Sequence, residues 1–85
     1  MKNYVEMFTE KAQKLRSLMA KYGDKLTDER RNEINILIKN TLYLIDGRFE
    51  ALDYDVRNQG IMNYSQQLEA AEDELEQFEK GDIDM

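Results

Sequence analysis

The chain has 85 residues, a formal net charge of −6, and no cysteine, histidine, proline or tryptophan. The missing cysteine rules out disulfides and thiolate metal sites, and the missing histidine removes the commonest metal ligand and general base. A domain of this size buries only about 60–65% of its unfolded surface, so regular helix packing or self-association must supply its stability.

The first element is a helix over residues 3–22. Its apolar positions Val5, Phe8, Ala12, Leu15, Met19 and Tyr22 recur at alternating spacings of three and four, with Tyr4 and Leu18 widening the stripe. This is a one-sided helix with a coiled-coil-like seam. Gly23 follows the last periodic residue, where a left-handed C-terminal cap is expected, and Lys21 complements the helix dipole.

The second helix starts after Thr27, a good N-cap, with Asp28 and Glu29 in its first turn. Apolar residues then come densely from Ile34 to Val56, so the stripe is too wide for one neighbour. A helix over 28–58 is predicted, the long central element of the fold, either continuous or broken at Gly47. Gly47 costs a helix interior about 1 kcal/mol relative to Ala; a continuous rod would be ~45 Å long. Asn58-Gln59-Gly60 is a turn-forming cluster. A third helix follows over 62–79, with a seam of Ile61, Tyr64, Leu68, Ala71, Leu75 and Phe78, and Gly81 ends it. These elements make an all-α, antiparallel three-helix bundle: a single helical domain over 1–80 and a short, acidic, flexible tail over 81–85. A continuous second helix overhangs its neighbours, and its apolar stripe (Ile38, Leu42, Ile45, Phe49, Leu52) then becomes the expected self-association surface of a homodimer.

Charge is unevenly distributed. Residues 1–22 carry five basic and two acidic side chains, 23–60 six and eight, and 61–85 one and eight. Opposite charges on the first and third helices favour their pairing, within a subunit or across a dimer. The alternative is that Glu69, Glu72, Asp73, Glu76 and Glu79 form a face for a basic partner, such as a groove that normally holds nucleic acid. Lys11, Lys14, Arg16 and Lys21 are too few to bind nucleic acid directly.

Three constellations bear on chemistry. Asp46, Glu50 and Asp53 fall on one face of a continuous helix with Asp55 nearby, an arrangement suited to Mg²⁺ or Mn²⁺. All-helical nucleotide pyrophosphatases pair an E-x-x-E with an E-x-x-D on a second helix; Glu69-x-x-Glu72 supplies the first half and no E-x-x-D follows it. Asp53 to Gly60 lacks the spacing of a calcium loop, because Arg57 occupies the third ligand position. Ser65-Gln66-Gln67-Leu68-Glu69 is similar to the S-Q-E-L-D motif of small phosphatases of sporulation response regulators, with Glu69 in place of the acidic Asp and Ala70, Ala71 and Glu72 where apolar residues should follow.

The residues therefore imply no enzyme, no cofactor and no metal. No apolar run reaches the length of a bilayer span or of a signal-peptide core, so no membrane association and a cytoplasmic location are expected. The expectation is a small helical protein of bacterial or phage type that binds and regulates or inhibits a larger protein, as a homodimer. A self-assembling scaffold is one alternative, and a metal-dependent nucleotide hydrolase or response-regulator phosphatase another.

Overall fold

The computed structural model describes residues 3–81; of the tail predicted over 81–85, Gly81 is the last residue of the final helix and 82–85 lie outside the described residues. Among the described residues the fold is all-helical, with α1 at Asn3–Tyr22, α2 at Asp28–Tyr43 and α3 at Tyr54–Gly81. No helix is long and apolar enough to cross a membrane.

α1 and α3 run parallel, as contacts down their length show. The Phe49 ring bridges Tyr4 and Tyr64, Lys11 meets Glu69, Lys14 meets Glu72 and Glu76, and Tyr22 lies beside Phe78. α2 is antiparallel to both, with Arg30 near its start reaching Glu74 near the end of α3. The core is Phe8, Ala12, Leu15 and Leu18 of α1, Ile34 and Ile38 of α2, and Leu68, Ala71 and Leu75 of α3, with Leu26 and Phe49 from the two connections. These are the seam positions that the three-four spacing selects. Thr27 caps α2 as expected, its Oγ1 accepting from the Arg30 N–H at 3.1 Å.

Three local expectations are corrected. Gly23 takes no left-handed conformation; it continues into a 3₁₀ turn over Gly23–Lys25 that Leu26 ends in extended backbone. The second helix takes the broken form of the two predicted, with the break at Gly47, and so stops at Tyr43 instead of reaching 58; the chain reverses at Leu44–Ala51. Asp46 has ψ 50°, and Gly47 has φ +91°, the only positive φ among the described residues. A non-glycine residue pays steric energy there. The third helix begins at Tyr54, eight residues before the expected 62, and carries Asn58-Gln59-Gly60 inside it. The longest helix is thus α3, with 28 residues, or ~42 Å of a molecule 48 Å long.

The two glycines exchange roles for one physical reason. A rod continuous through Gly47 would postpone the reversal to Asn58-Gln59-Gly60 and keep Phe49 on the stripe of the second helix, with the seam of α3 beginning only at Ile61. Reversing at Gly47 buries that seam and places Phe49 between α1 and α3. α3 then passes so close to the Phe49 ring that a Cβ on Gly60 would sit 2.9 Å from its Cε1. Gly60 therefore serves close packing, and its helix-propensity cost of about 1 kcal/mol is offset by an aromatic ring brought fully into the core.

Candidate functional site

The acidic residues predicted for a partner are largely engaged within the subunit. Lys11 Nζ lies 3.1 Å from Glu69, and Lys14 Nζ lies 2.7 Å from Glu72 and 3.0 Å from Glu76. The hydrogen bond to Glu72, then that to Glu76, raises the proton affinity of Lys14 above the ordinary lysine value. On the other flank Arg30 bridges Glu33 and Glu74. Exposed pairs of this kind add little stability, but they match basic α1 to acidic α3 and so favour this packing order. Asp73 and Glu79 are exposed and make no ion pair among the described residues.

The five residues predicted for self-association do not form a surface. Ile38 is 3% and Phe49 1% exposed, and both belong to the core. Leu42 and Ile45 are half-buried against it, which leaves Leu52 as the exposed member. The carboxylate face of Asp46, Glu50 and Asp53 requires a continuous helix and is dismantled by the reversal. Among the described residues no three acidic side chains converge closely enough to hold a metal ion. In the Ser65–Glu69 stretch, Leu68 is core and Glu69 is the partner of Lys11.

What the reversal builds instead is an elbow at one end of the bundle. Phe49 is its anchor, stacked on Phe8 at 5.9 Å between centroids and edge-on to Tyr4 and Tyr64. Phe49–Ala51 form a 3₁₀ turn, Leu52 is extended, and the Arg57 N–H donates to the Asp53 carbonyl at 2.8 Å to open α3. The Arg57 guanidinium folds back over this turn, Nε donating to the Phe49 carbonyl at 3.0 Å and Nη2 to the Leu52 carbonyl at 3.2 Å.

The first connection is built the same way. Leu26 is extended after a 3₁₀ turn, Arg31 N–H donates to the Thr27 carbonyl, and the Arg31 guanidinium donates to the Gly23 and Leu26 carbonyls at 3.1 and 3.3 Å. Leu-[Thr/Asp]-x-x-x-Arg therefore occurs twice, at Leu26–Arg31 and Leu52–Arg57, each time as a clamp that adds a second donor to the first carbonyl of the 3₁₀ turn (Gly23, Phe49), which already accepts the leucine N–H, and also reaches the leucine's own carbonyl. Helical periodicity does not register this feature; the repeated Leu and Arg positions do.

The two connections differ in what they expose. Leu26 is buried at the first, whereas every residue from Glu50 to Val56 is exposed at the elbow. Leu52 is 37%, Tyr54 70% and Val56 54% exposed; outside this run Tyr43 is 56% and Met62 58% exposed. The Arg48 guanidinium lies 4.0 Å over the Tyr43 ring, a cation–π contact that holds it against the elbow. Beside Val56, the residues Asp55, Gln59, Gly60 and Asn63 line an open groove of about 380 Å³. Comparison with protein-family models, curated proteins and solved structures finds no match for this chain.

Proposed function

We propose that this protein acts by binding a larger protein, which it regulates or inhibits without chemistry of its own, and that the elbow is where it binds. The observation that carries this reading is the exposed run Glu50–Val56, in which three large apolar side chains point away from a core that had room for Phe49. Adjacent exposed apolar residues cost solubility and are characteristic of docking sites, and tyrosine is enriched at the centres of such sites. A sequence without histidine or cysteine, and carboxylates drawn into ion pairs, support binding over catalysis. The reason for expecting a homodimer, an overhanging stripe on a continuous second helix, is gone once Phe49 and Ile38 are inside the subunit, so the reading is of a subunit that binds as a monomer.

The test compares capture from a lysate of the source organism by the immobilised wild type, by a Leu52→Ser/Tyr54→Ser/Val56→Ser variant, and by an Asp73→Asn/Glu79→Gln variant on the far face of α3. The elbow variant is expected to lose the captured protein by at least about tenfold, the scale of one interface hot spot, while keeping its helical circular dichroism. Equal capture by the elbow variant would remove the elbow from the function. Loss in the Asp73/Glu79 variant alone would move the site to α3.

A further inference from the structure

We infer that Asp46-Gly47, where the chain reverses, is a site of spontaneous backbone isomerisation, and that the Arg48 side chain holds the reaction in check in the folded protein. It is the one Asp-Gly step in the chain, and no Asn-Gly occurs. An aspartate followed by glycine is the sequence most open to this chemistry, because glycine puts no Cβ beside the attacking nitrogen and leaves the chain free to turn. Here the Asp46 side chain is 84% exposed, and nothing lies within 4 Å of where a Cβ on Gly47 would be. No covering neighbour protects the pair.

The reaction needs no co-reactant but water. The Gly47 nitrogen gives its proton to solvent and bonds to Asp46 Cγ, while one carboxyl oxygen leaves as water and a cyclic imide closes. Water then adds back to the imide. Breaking the bond from nitrogen to Cγ restores aspartate. Breaking the bond from nitrogen to the main-chain carbonyl carbon leaves isoaspartate, with the chain running through Cβ and Cγ. Mass is unchanged, but the main chain gains an atom just ahead of the Phe49 anchor.

What restrains the step is geometry. Ring closure needs the Gly47 nitrogen and the Asp46 Cβ on the same side of the Cα–C bond. Asp46 has ψ 50°, which in an L-residue turns that nitrogen to the far side from Cβ. The carbonyl oxygen, opposite the nitrogen on the planar peptide, then lies alongside Cβ. Arg48 fastens this arrangement. Its Nη1 donates to the Asp46 carbonyl at 3.2 Å and reaches Asp46 Oδ2 at 3.5 Å, so the carboxylate is held beside the oxygen and away from the nitrogen. The guanidinium is itself seated 4.0 Å over the Tyr43 ring. Isomerisation therefore proceeds only when the turn opens locally, and its rate follows the fraction of molecules that are open. Arg48 is a positioning residue that keeps this fraction small.

The experiment incubates the full chain at neutral pH and physiological temperature, folded and in concentrated urea. Isoaspartate is measured by methyl transfer from S-adenosylmethionine with an isoaspartyl methyltransferase, and located by peptide mapping. The wild type is expected to form isoaspartate at position 46 at least about tenfold more slowly when folded than in urea, because only the opened fraction reacts. Arg48→Ala should keep its helical circular dichroism and speed the reaction of the folded chain about two- to fivefold, the scale of an exposed cation–π contact, with no change in urea. Asp46→Glu, whose longer side chain closes the ring poorly, should remove the signal in both conditions.

Absence of isoaspartate at position 46 in urea would overturn the site. Equal rates for the folded and urea-treated wild type would overturn the geometric restraint. A folded Arg48→Ala chain that reacts no faster than wild type, or one whose gain is the same in urea, would remove Arg48 from the inference.

Discussion

Phe49→Ala is expected to destabilise the protein by about 3–5 kcal/mol, the usual result of deleting a buried aromatic ring. Whole domains of this length are stable by only about 4–13 kcal/mol, so the loss is a large fraction of the total. The size of the effect follows from position. Phe49 is not one of several residues on a helical stripe; it is the single large side chain that the elbow inserts between α1 and α3, touching Tyr4, Phe8 and Tyr64 at once. Phe49→Leu retains most of the volume and should cost less, about 1–2 kcal/mol, for the lost aromatic contacts and imperfect fit. Urea titration by circular dichroism reads both. A loss below about 1 kcal/mol for Phe49→Ala would mean that the ring is not in the core, and the elbow as described would be wrong.

Substitution of Gly47 is expected to rank Val worst, Ala intermediate and Asn mildest. At φ +91° a β-branched residue should cost about 1–3 kcal/mol. Asn tolerates the left-handed region better than other side chains. Space plays no part, since nothing lies within 4 Å of where a Cβ would be; the ranking is purely conformational, and equal losses for Val and Asn would contradict the observed backbone. Valine also favours the alternative in which the second helix runs on through residue 47. Where that helix also runs on into α3 without reversing at Asn58-Gln59-Gly60, α3 leaves its own subunit and can be satisfied only by exchange with a second chain. A Gly47→Val protein that keeps its helicity and sediments as a dimer would be that state, and the wild type should remain monomeric beside it.

The parts of this fold that sequence makes legible are those that depend on neighbours along one helix. The α1 stripe, the Thr27 cap and the seam of Leu68, Ala71 and Leu75 follow from period and capping chemistry alone, and all appear as expected. The pairing of α1 with α3 was legible as one of two arrangements, because opposite charges on two helices say that they attract but not whether the partner lies in the same chain. Gly47 and Gly60 show where such reasoning stops. Both are glycines amid helical residues; one supplies a positive φ and the other a close approach, and only the placement of Phe49 distinguishes them. The sequence leaves open whether the chain reverses at Gly47 or at Asn58-Gln59-Gly60, and only the second alternative makes Phe49 part of an outward-facing stripe. That alternative also hides the exposed run Leu52–Val56 inside a supposed helix. The arginine clamps were in view as a repeated Leu and Arg, but their meaning is a set of bonds to carbonyls that exist only once the turns are made.

The claim that the elbow is the working surface is tested most directly by placing a photo-crosslinking amino acid, benzoylphenylalanine, at single positions and irradiating in a lysate of the source organism. Replacement of Tyr54, 70% exposed at the elbow, is expected to give one discrete crosslinked species. Replacement of Gln77, exposed on α3 away from the elbow, should give none. A discrete product from position 77 with nothing from position 54 would contradict the account and move the site to the outer face of α3.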